Sequence, residues 1–261
     1  MQVIIRPTEE ESTRIVATLV ANAIRANPDV VLGLATGLTM ERVYALLVRM
    51  HREESLDFSL VRTFNLDEYV GLTAEDGRSY HAYMTKHLFS GINIDRRNTH
   101  LLDGMAKDLE AECRRYEDLI RHCGGIDLQL LGIGRDGHIG FNEPGSALYS
   151  RTRDKSLTPM TRRDNAKHFV DPSQMPHRAL TMGVGTILDS RKLLLLATGE
   201  SKAAVIAKAV EGPITSRMTA TAIQLHQHCV VVADEAASSR LEEQDYYRWI
   251  FDNEPEWAEF R

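Results

Sequence analysis

At 261 residues with 43% hydrophobic content, the chain can bury a substantial core, and no linker, repeat or low-complexity run divides it, so residues 1–261 are expected to form one α/β domain. The formal net charge of −6 argues against a nucleic-acid partner, which needs a clustered basic surface. Cys113, Cys123 and Cys229 form no C-x-x-C pair, "MQVIIRPTEEE" has no basic-then-apolar leader pattern, and no apolar run reaches the ~18–20 residues that span a bilayer; a reducing, cytoplasmic setting without membrane contact is expected.

"MQVIIRP" reads as a first strand and "TEEESTRIVATLVANAIRAN" as a helix opened by Thr8, with acidic residues in its first turn. The runs "DVVLGLATG", "LVRTFNL", "IDLQLLGIG", "KLLLLATG" and "HCVVVAD" have the compact apolar character of strands covered on both faces. Helices such as "MERVYALLVRMHRE", "MAKDLEAECRRYEDLIRHC" and "SKAAVIAKAV" lie between several of them. Strand alternating with helix predicts an α/β fold: an open, mostly parallel twisted sheet with helices on both faces, three-layered and Rossmann-like. Ligands of such sheets sit beyond the carboxyl ends of the strands, so the residues just after each run are the informative ones.

After the strand ending at Leu34 comes Thr36-Gly37-Leu38-Thr39 and a helix from near Met40. Backbone N–H groups at that helix start, with the two hydroxyls, can hold a phosphate; the alternative is an ordinary threonine N-cap. Asp67, Glu68 and Tyr69 follow "LVRTFNL", placing a carboxylate at the ligand edge as a general base or, otherwise, as a solvated cap. In "LLGIGRDGHIGFNEPG", Gly132, Gly134 and Gly137 spell G-x-G-x-x-G, but Gly140, Pro144 and Gly145 forbid the helix a dinucleotide site requires, and Asp154, at the distance of the ribose-binding acid, lies in "SRTRDKS", which reads as no strand. Asp136, His138 and Glu143 carry that loop's chemistry instead. Flanking carboxylates fix the tautomer of a histidine and stabilise its imidazolium, which suits proton transfer near neutral pH. The same three are also a metal-ligand set, ranked lower because they share one flexible loop and no second histidine ends an equivalent strand. In "LLLLATGESKAAVIAKAV", Lys202 stands in the first turn of a helix, where a cation opposes the helix dipole unless an anion is bound nearby; a solvated lysine is the alternative.

Through "GLATGLT", "TFNLDEYVGL", "GIGRDGHIGFNEP", "SRTRDKSLT", "ALTMGVGTILD" and "TGESKA", in order along nearly the whole chain, the sequence resembles the glucosamine-6-phosphate deaminases (glucosamine-6-phosphate isomerases). The related 6-phosphogluconolactonases share the fold and some loops, but "NLDEYVGL" with "DGHIGFNEP" resembles the deaminase branch. The resemblance implies conversion of glucosamine 6-phosphate and water to fructose 6-phosphate and ammonia with neither metal nor cofactor. It implies that His138 moves the ring-opening proton with Asp136 and Glu143 orienting it, that Asp67 takes the C2 proton and returns it at C1, and that Thr36, Gly37, Leu38, Thr39 and Lys202 hold the phosphate. Leu38 stands where the family has Gly or Ser, so its side chain must point away, and Met40 stands where a Pro is usual. Lys167 aligns with a family arginine and lacks its bidentate fork, unless Arg162 or Arg163 takes that role.

Some family members are hexamers activated by N-acetylglucosamine 6-phosphate, and others are small and non-allosteric. "GSALYSRTRDKSLT" keeps Ser146, Arg153 and Lys155 of the allosteric pattern, with Ser156 where a Thr is typical, so a homo-oligomer with a second phosphate site is expected; a basic surface loop is the alternative. Two other activities are weighed. Galactosamine-6-phosphate deaminases share the layout, and a sugar-phosphate-sensing domain of a transcription regulator would bind without turnover.

Overall fold

In the computed structural model, residues 1–166, 169, 171 and 174–261 are described, and Lys167 lies outside them. Strand β1 (Gln2–Arg6) leads into α1 (Glu9–Ala26), whose first turn is held by Thr8 accepting from the Glu11 N–H and by three acidic residues at the positive helix end. Then follow β2 (Val31–Leu34), α2 (Leu38–Glu54) and β3 (Arg62–Asn65). The later strands of the same layer are β5 (Thr99–His100), β6 (Leu128–Leu131), β9 (Lys192–Ala197) and β10 (Cys229–Asp234). Together they form a seven-stranded sheet of order β1-β10-β9-β6-β2-β3-β5, with every pairing parallel. The runs VLGL of β2 and LQLL of β6 are buried throughout, because helices cover both faces of the sheet.

Strand order reverses at the β2–β6 contact: the chain builds outward from β2 to β3 and β5, then returns to β6 and continues the other way to β9 and β10. The loops after β2, β3, β6 and β9 therefore converge at the carboxyl edge of the sheet around a topological switch point.

A second sheet was not anticipated. Strands β4 (Asp67–Tyr69), β8 (Arg178–Thr181) and β7 (Arg153–Ser156) pair antiparallel in the order β4-β8-β7. The segment "SRTRDKS", read as no strand, thus contains one. Its four residues alternate half-buried and exposed at the edge of the small sheet, and their polar composition hides a strand that only pairing creates. The rejection of a dinucleotide site stands, because no helix begins at Gly137 and Asp154 belongs to the antiparallel sheet. Nor does a threonine cap α2: its N-cap is Gly37, with φ of 111° and no side-chain hydrogen bond.

One residue, Leu66, joins the sheets. Its N–H donates to the Leu34 carbonyl of β2 at 3.0 Å, and its carbonyl accepts from Met182 N–H, just after β8, at 2.7 Å. The chain leaves β3 at Asn65 and enters the small sheet at Asp67 without a loop between. The far end of β4 is packed equally closely: the Gly71 N–H donates to the Gly104 carbonyl at 2.9 Å, and a Cβ on Gly104 would stand 2.0 Å from the Tyr69 carbonyl oxygen. Gly104→Ala must push β4 aside, and we expect a cost of about 2 kcal/mol, read from the urea midpoint at unchanged slope.

Among the described residues no helix is long and apolar enough to cross a membrane.

Candidate active site

A cleft of about 980 Å³ opens at the converging strand ends. Among its lining residues are Thr36, Gly37, Leu38 and Thr39 after β2, Asp67 of β4, Gly134 and His138 after β6, and Lys202 after β9. At the β2 end, α2 points its N-terminus into the cleft. The first N–H groups of an α-helix have no intrahelical partner, so those of Leu38 and Thr39 are available to an anion. Leu38 is 56% exposed, its side chain directed away from the loop as a non-glycine residue there requires. Lys202 closes the ring of strand ends: its Nζ donates to the Ile133 carbonyl at 2.6 Å, which anchors a cation facing the same space. Helix α5 (Pro159–Asn165) adds Arg163 to the wall, whereas Arg162 turns aside to the Met175 carbonyl at 3.3 Å.

Asp67 is 6% exposed. Burial, reinforced by the neighbouring Glu68 charge and only partly offset by the Phe141 backbone N–H, pushes its carboxyl from 3.8 up to about 8. A carboxyl so placed holds its proton more tightly than an ordinary aspartate, and its carboxylate form is correspondingly more basic.

The loop after β6 carries the second chemical group. Nδ1 of His138 sits 2.5 Å from an Asp136 oxygen, a close contact rather than a well-directed hydrogen bond, and the His138 N–H donates to the same oxygen at 3.2 Å. Burial works to raise the Asp136 carboxyl, but the His138 contacts outweigh it and hold the group below its ordinary value. The imidazole lies directly over Gly134, where a Cβ would come within 2.5 Å of the ring. The glycine spacing that imitates a nucleotide loop thus makes room for a histidine. Glu143, also buried, accepts from the Thr158 N–H at 3.0 Å and completes the group. One ligand atom from each of Asp136, His138 and Glu143 lies within 4.8 Å of the others. A metal ion on Nδ1 would have to displace Asp136, whereas acid–base use of Nε2 leaves every contact intact.

The residues of the second expected phosphate site are divided. Strand alternation puts Arg153 and Lys155 on one face of β7, both half-buried, and Ser156 on the other, exposed. Arg153 donates to Asn142 Oδ1 at 2.9 Å, and Ser146 is buried with its hydroxyl unbonded.

The family model described as glucosamine-6-phosphate isomerases/6-phosphogluconolactonase matches residues 8–232. The chain belongs to this family. Curated glucosamine-6-phosphate deaminases of Arthrobacter sp. (strain FB24) and Rhodococcus opacus (strain B4) are 48% and 47% identical to it, over 98% of this chain and 99% of the first relative, and over 100% of both chains for the second. A solved structure described as a monomeric glucosamine-6-phosphate deaminase superposes with a TM-score of 0.90 at 47% identity, over 92% of this chain and 100% of that one. A 6-phosphogluconolactonase from Shewanella baltica superposes with a TM-score of 0.70 at 21% identity, over 90% of this chain and 97% of that one, which is a likeness of fold.

In this member of the glucosamine-6-phosphate isomerase/6-phosphogluconolactonase family, sequence reasoning missed the aromatic wall. Helix α3 (Tyr80–His87) sends the Tyr83 hydroxyl to the Gly37 carbonyl at 2.8 Å, and the Tyr80 hydroxyl to that of Tyr69 at 3.2 Å. Nothing in "SYHAYMTKH" announces this role, since its short helix has a single buried residue, Met84, and its tyrosines face the cleft.

The raised Asp67 carboxyl has a consequence for stability. Because its folded value lies above the unfolded 3.8, its contribution is full below that pH and is lost as pH rises through about 8. Asp67→Asn removes this loss, so the thermal midpoint of the variant should exceed that of the parent at pH 9 by at least about 2 °C, with a smaller or reversed difference at pH 5.

Proposed function

We propose that the chain deaminates glucosamine 6-phosphate, converting it with water to fructose 6-phosphate and ammonia. The observation that carries this reading is the pairing, in one cleft, of a buried carboxyl of raised proton affinity with a separate His138–Asp136–Glu143 group. Carbon-acid chemistry and ring opening need two distinct acid–base centres, and the chain supplies both. Relatives at 47–49% identity that are named glucosamine-6-phosphate deaminase support it.

The substrate phosphate sits at the N–H groups of Leu38 and Thr39, with the hydroxyls of Thr36 and Thr39 and the cations of Lys202 and Arg163 around it. His138 Nε2 takes the proton of the anomeric hydroxyl and delivers one to the ring oxygen, opening the pyranose to the aldehyde. Asp136 stabilises the transient imidazolium, and Glu143 keeps the loop in register. Ionised Asp67 removes the C2 proton, giving an enolamine across C1 and C2. It then returns that proton to C1, so C2 becomes an imine. Water adds to C2, and the carbinolamine collapses to the ketone as ammonia leaves. The cationic amino group of the incoming substrate favours the carboxylate form of Asp67, switching the base on when it is needed.

The whole chain acts as a single catalytic domain in the cytoplasm. Its allosteric segment supports one finer step. Arg153 grips Asn142, next to catalytic Glu143, so N-acetylglucosamine 6-phosphate held by Arg153 and Lys155 would bear on the ring-opening loop; Ser156, on the opposite face of β7, is the weakest member of that set. A homo-oligomer accompanies such regulation in the family, while the solved neighbour described as monomeric supports a free single chain. Light scattering with and without this ligand, alongside the rate, decides between them.

Asp67→Asn should lower kcat by about 10³-fold while leaving inorganic phosphate affinity within a few-fold, because it removes a proton acceptor and no anion contact. An equal loss of binding would make Asp67 structural. For the native chain, kcat/KM should fall as pH drops below about 8, as Asp67 of the free enzyme takes up its proton. Steady-state ammonia release from both amino-sugar phosphates identifies the substrate: preference for the galacto epimer would replace it, and binding without ammonia would make the chain a sensor.

A further inference from the structure

Glu68 lies beside the base and takes no part in the steps above. It is 1% exposed, the middle residue of β4, and alternation directs its side chain away from the face that Asp67 and Tyr69 share. Both of its oxygens are fully used. One accepts from the Tyr69 N–H at 2.8 Å and the Tyr80 N–H at 3.0 Å; the other accepts from the His81 N–H at 3.0 Å and lies 3.0 Å from His81 Nδ1. The backbone donors of Tyr80 and His81 belong to the first turn of α3, so this carboxylate faces the positive end of the helix. The helix it holds is the one that carries Tyr80 and Tyr83 to the cleft.

We propose that Glu68 is a positioning residue for the C2 proton transfer: it clamps the N-terminus of α3 to β4 and keeps a fixed negative charge immediately behind Asp67. The clamp sets the wall against which the substrate lies, since Tyr83 ties α3 to the Gly37 carbonyl of the phosphate loop. The charge makes the base reluctant to ionise in an empty cleft, so a cationic amino sugar is what releases it. Other groups near Asp67 do not duplicate this effect. Tyr69, Tyr80 of α3 and Tyr116 of α4 (Leu109–His122) are held protonated by burial, His138 stands across the cleft against its own Asp136, and Arg153 of β7 is separated from Asp67 by Thr181 of β8.

This proposal rests on the deaminase reading for its kinetic side alone, and a substrate-free measurement separates the two. In ¹³C-aspartate-labelled protein, the Asp67 carboxyl is titrated by NMR in the native chain, Glu68→Gln, Glu68→Asp and His81→Ala, and the acid limb of kcat/KM is followed in parallel. Glu68→Gln should move the Asp67 midpoint and the acid limb down by about one pH unit, with a lower plateau rate from loosened docking. His81→Ala, which removes one donor and leaves the carboxylate charged, should leave both where they are. If Glu68→Gln does not fold, Glu68→Asp decides: with the charge kept and the reach shortened, the midpoint should stay and KM should rise several-fold. An unmoved midpoint in folded Glu68→Gln, or a midpoint that shifts in Glu68→Asp or His81→Ala, overturns the proposal. Absence of ammonia release from the native chain would overturn the deaminase reading and leave the NMR comparison intact.

Discussion

The site depends on the passage of the chain from one sheet to another across a single residue. Leu66 is hydrogen-bonded to β2 on one side and to the residue after β8 on the other, so Asp67 begins a strand whose backbone has no freedom to relax. That fixity keeps a carboxyl under cover. A buried acid on a mobile loop would swing into water and regain its ordinary proton affinity, whereas one held by ladder bonds on two sheets cannot. The raised Asp67 carboxyl is thus a product of backbone hydrogen bonding as much as of its surroundings.

Around this fixed point the cleft is assembled by the geometry of a parallel sheet at its switch point. The loop after β2 contributes a helix N-terminus, the loop after β9 a lysine pinned to a carbonyl, and the loop after β6 a histidine braced by carboxylates. Each is modest alone. With Asp67 they put a helix N-terminus, a lysine, a buried carboxyl and a braced histidine around one volume of about 980 Å³, large enough for a hexose phosphate. In the proposed deamination, binding energy gained at the phosphate end is used to hold the reacting carbons against Asp67, which is how remote contacts of a substrate accelerate its chemistry.

The small antiparallel sheet also explains how distant segments meet the loop that carries His138. Phe141 donates its N–H to the Thr181 hydroxyl at 3.1 Å, and Thr181 pairs across the sheet with Asp67 on one side and Arg153 on the other. Asn142 bridges the Ile139 and Met182 carbonyls and accepts from Arg153. Asp67, the histidine loop and the basic strand β7 therefore share one hydrogen-bonded frame.

Much of this was legible in the sequence. Apolar runs such as "VVLGL" and "KLLLLA" can bury themselves only between two helical layers, and their alternation with amphipathic helices leaves a parallel sheet as the consistent solution; the residues after them then fall at the ligand edge. That logic singles out Asp67, His138 and Lys202, all of which line the cleft, and the absence of a helix at Gly137 rules out the nucleotide reading. Tertiary structure alone decided what local sequence could not encode. The strands "DEY" and "RDKS" carry no apolar pattern and exist because β8 offers them partners. Ser156 parted from Arg153 and Lys155 because a strand alternates where a loop does not. Tyr80, Tyr83 and Glu68 acquired roles from α3 docking across the cleft mouth. Periodicity records which side of an element faces the core, a property of each segment by itself, whereas the pairing of short polar strands and the burial of a single carboxyl arise between segments remote in the chain.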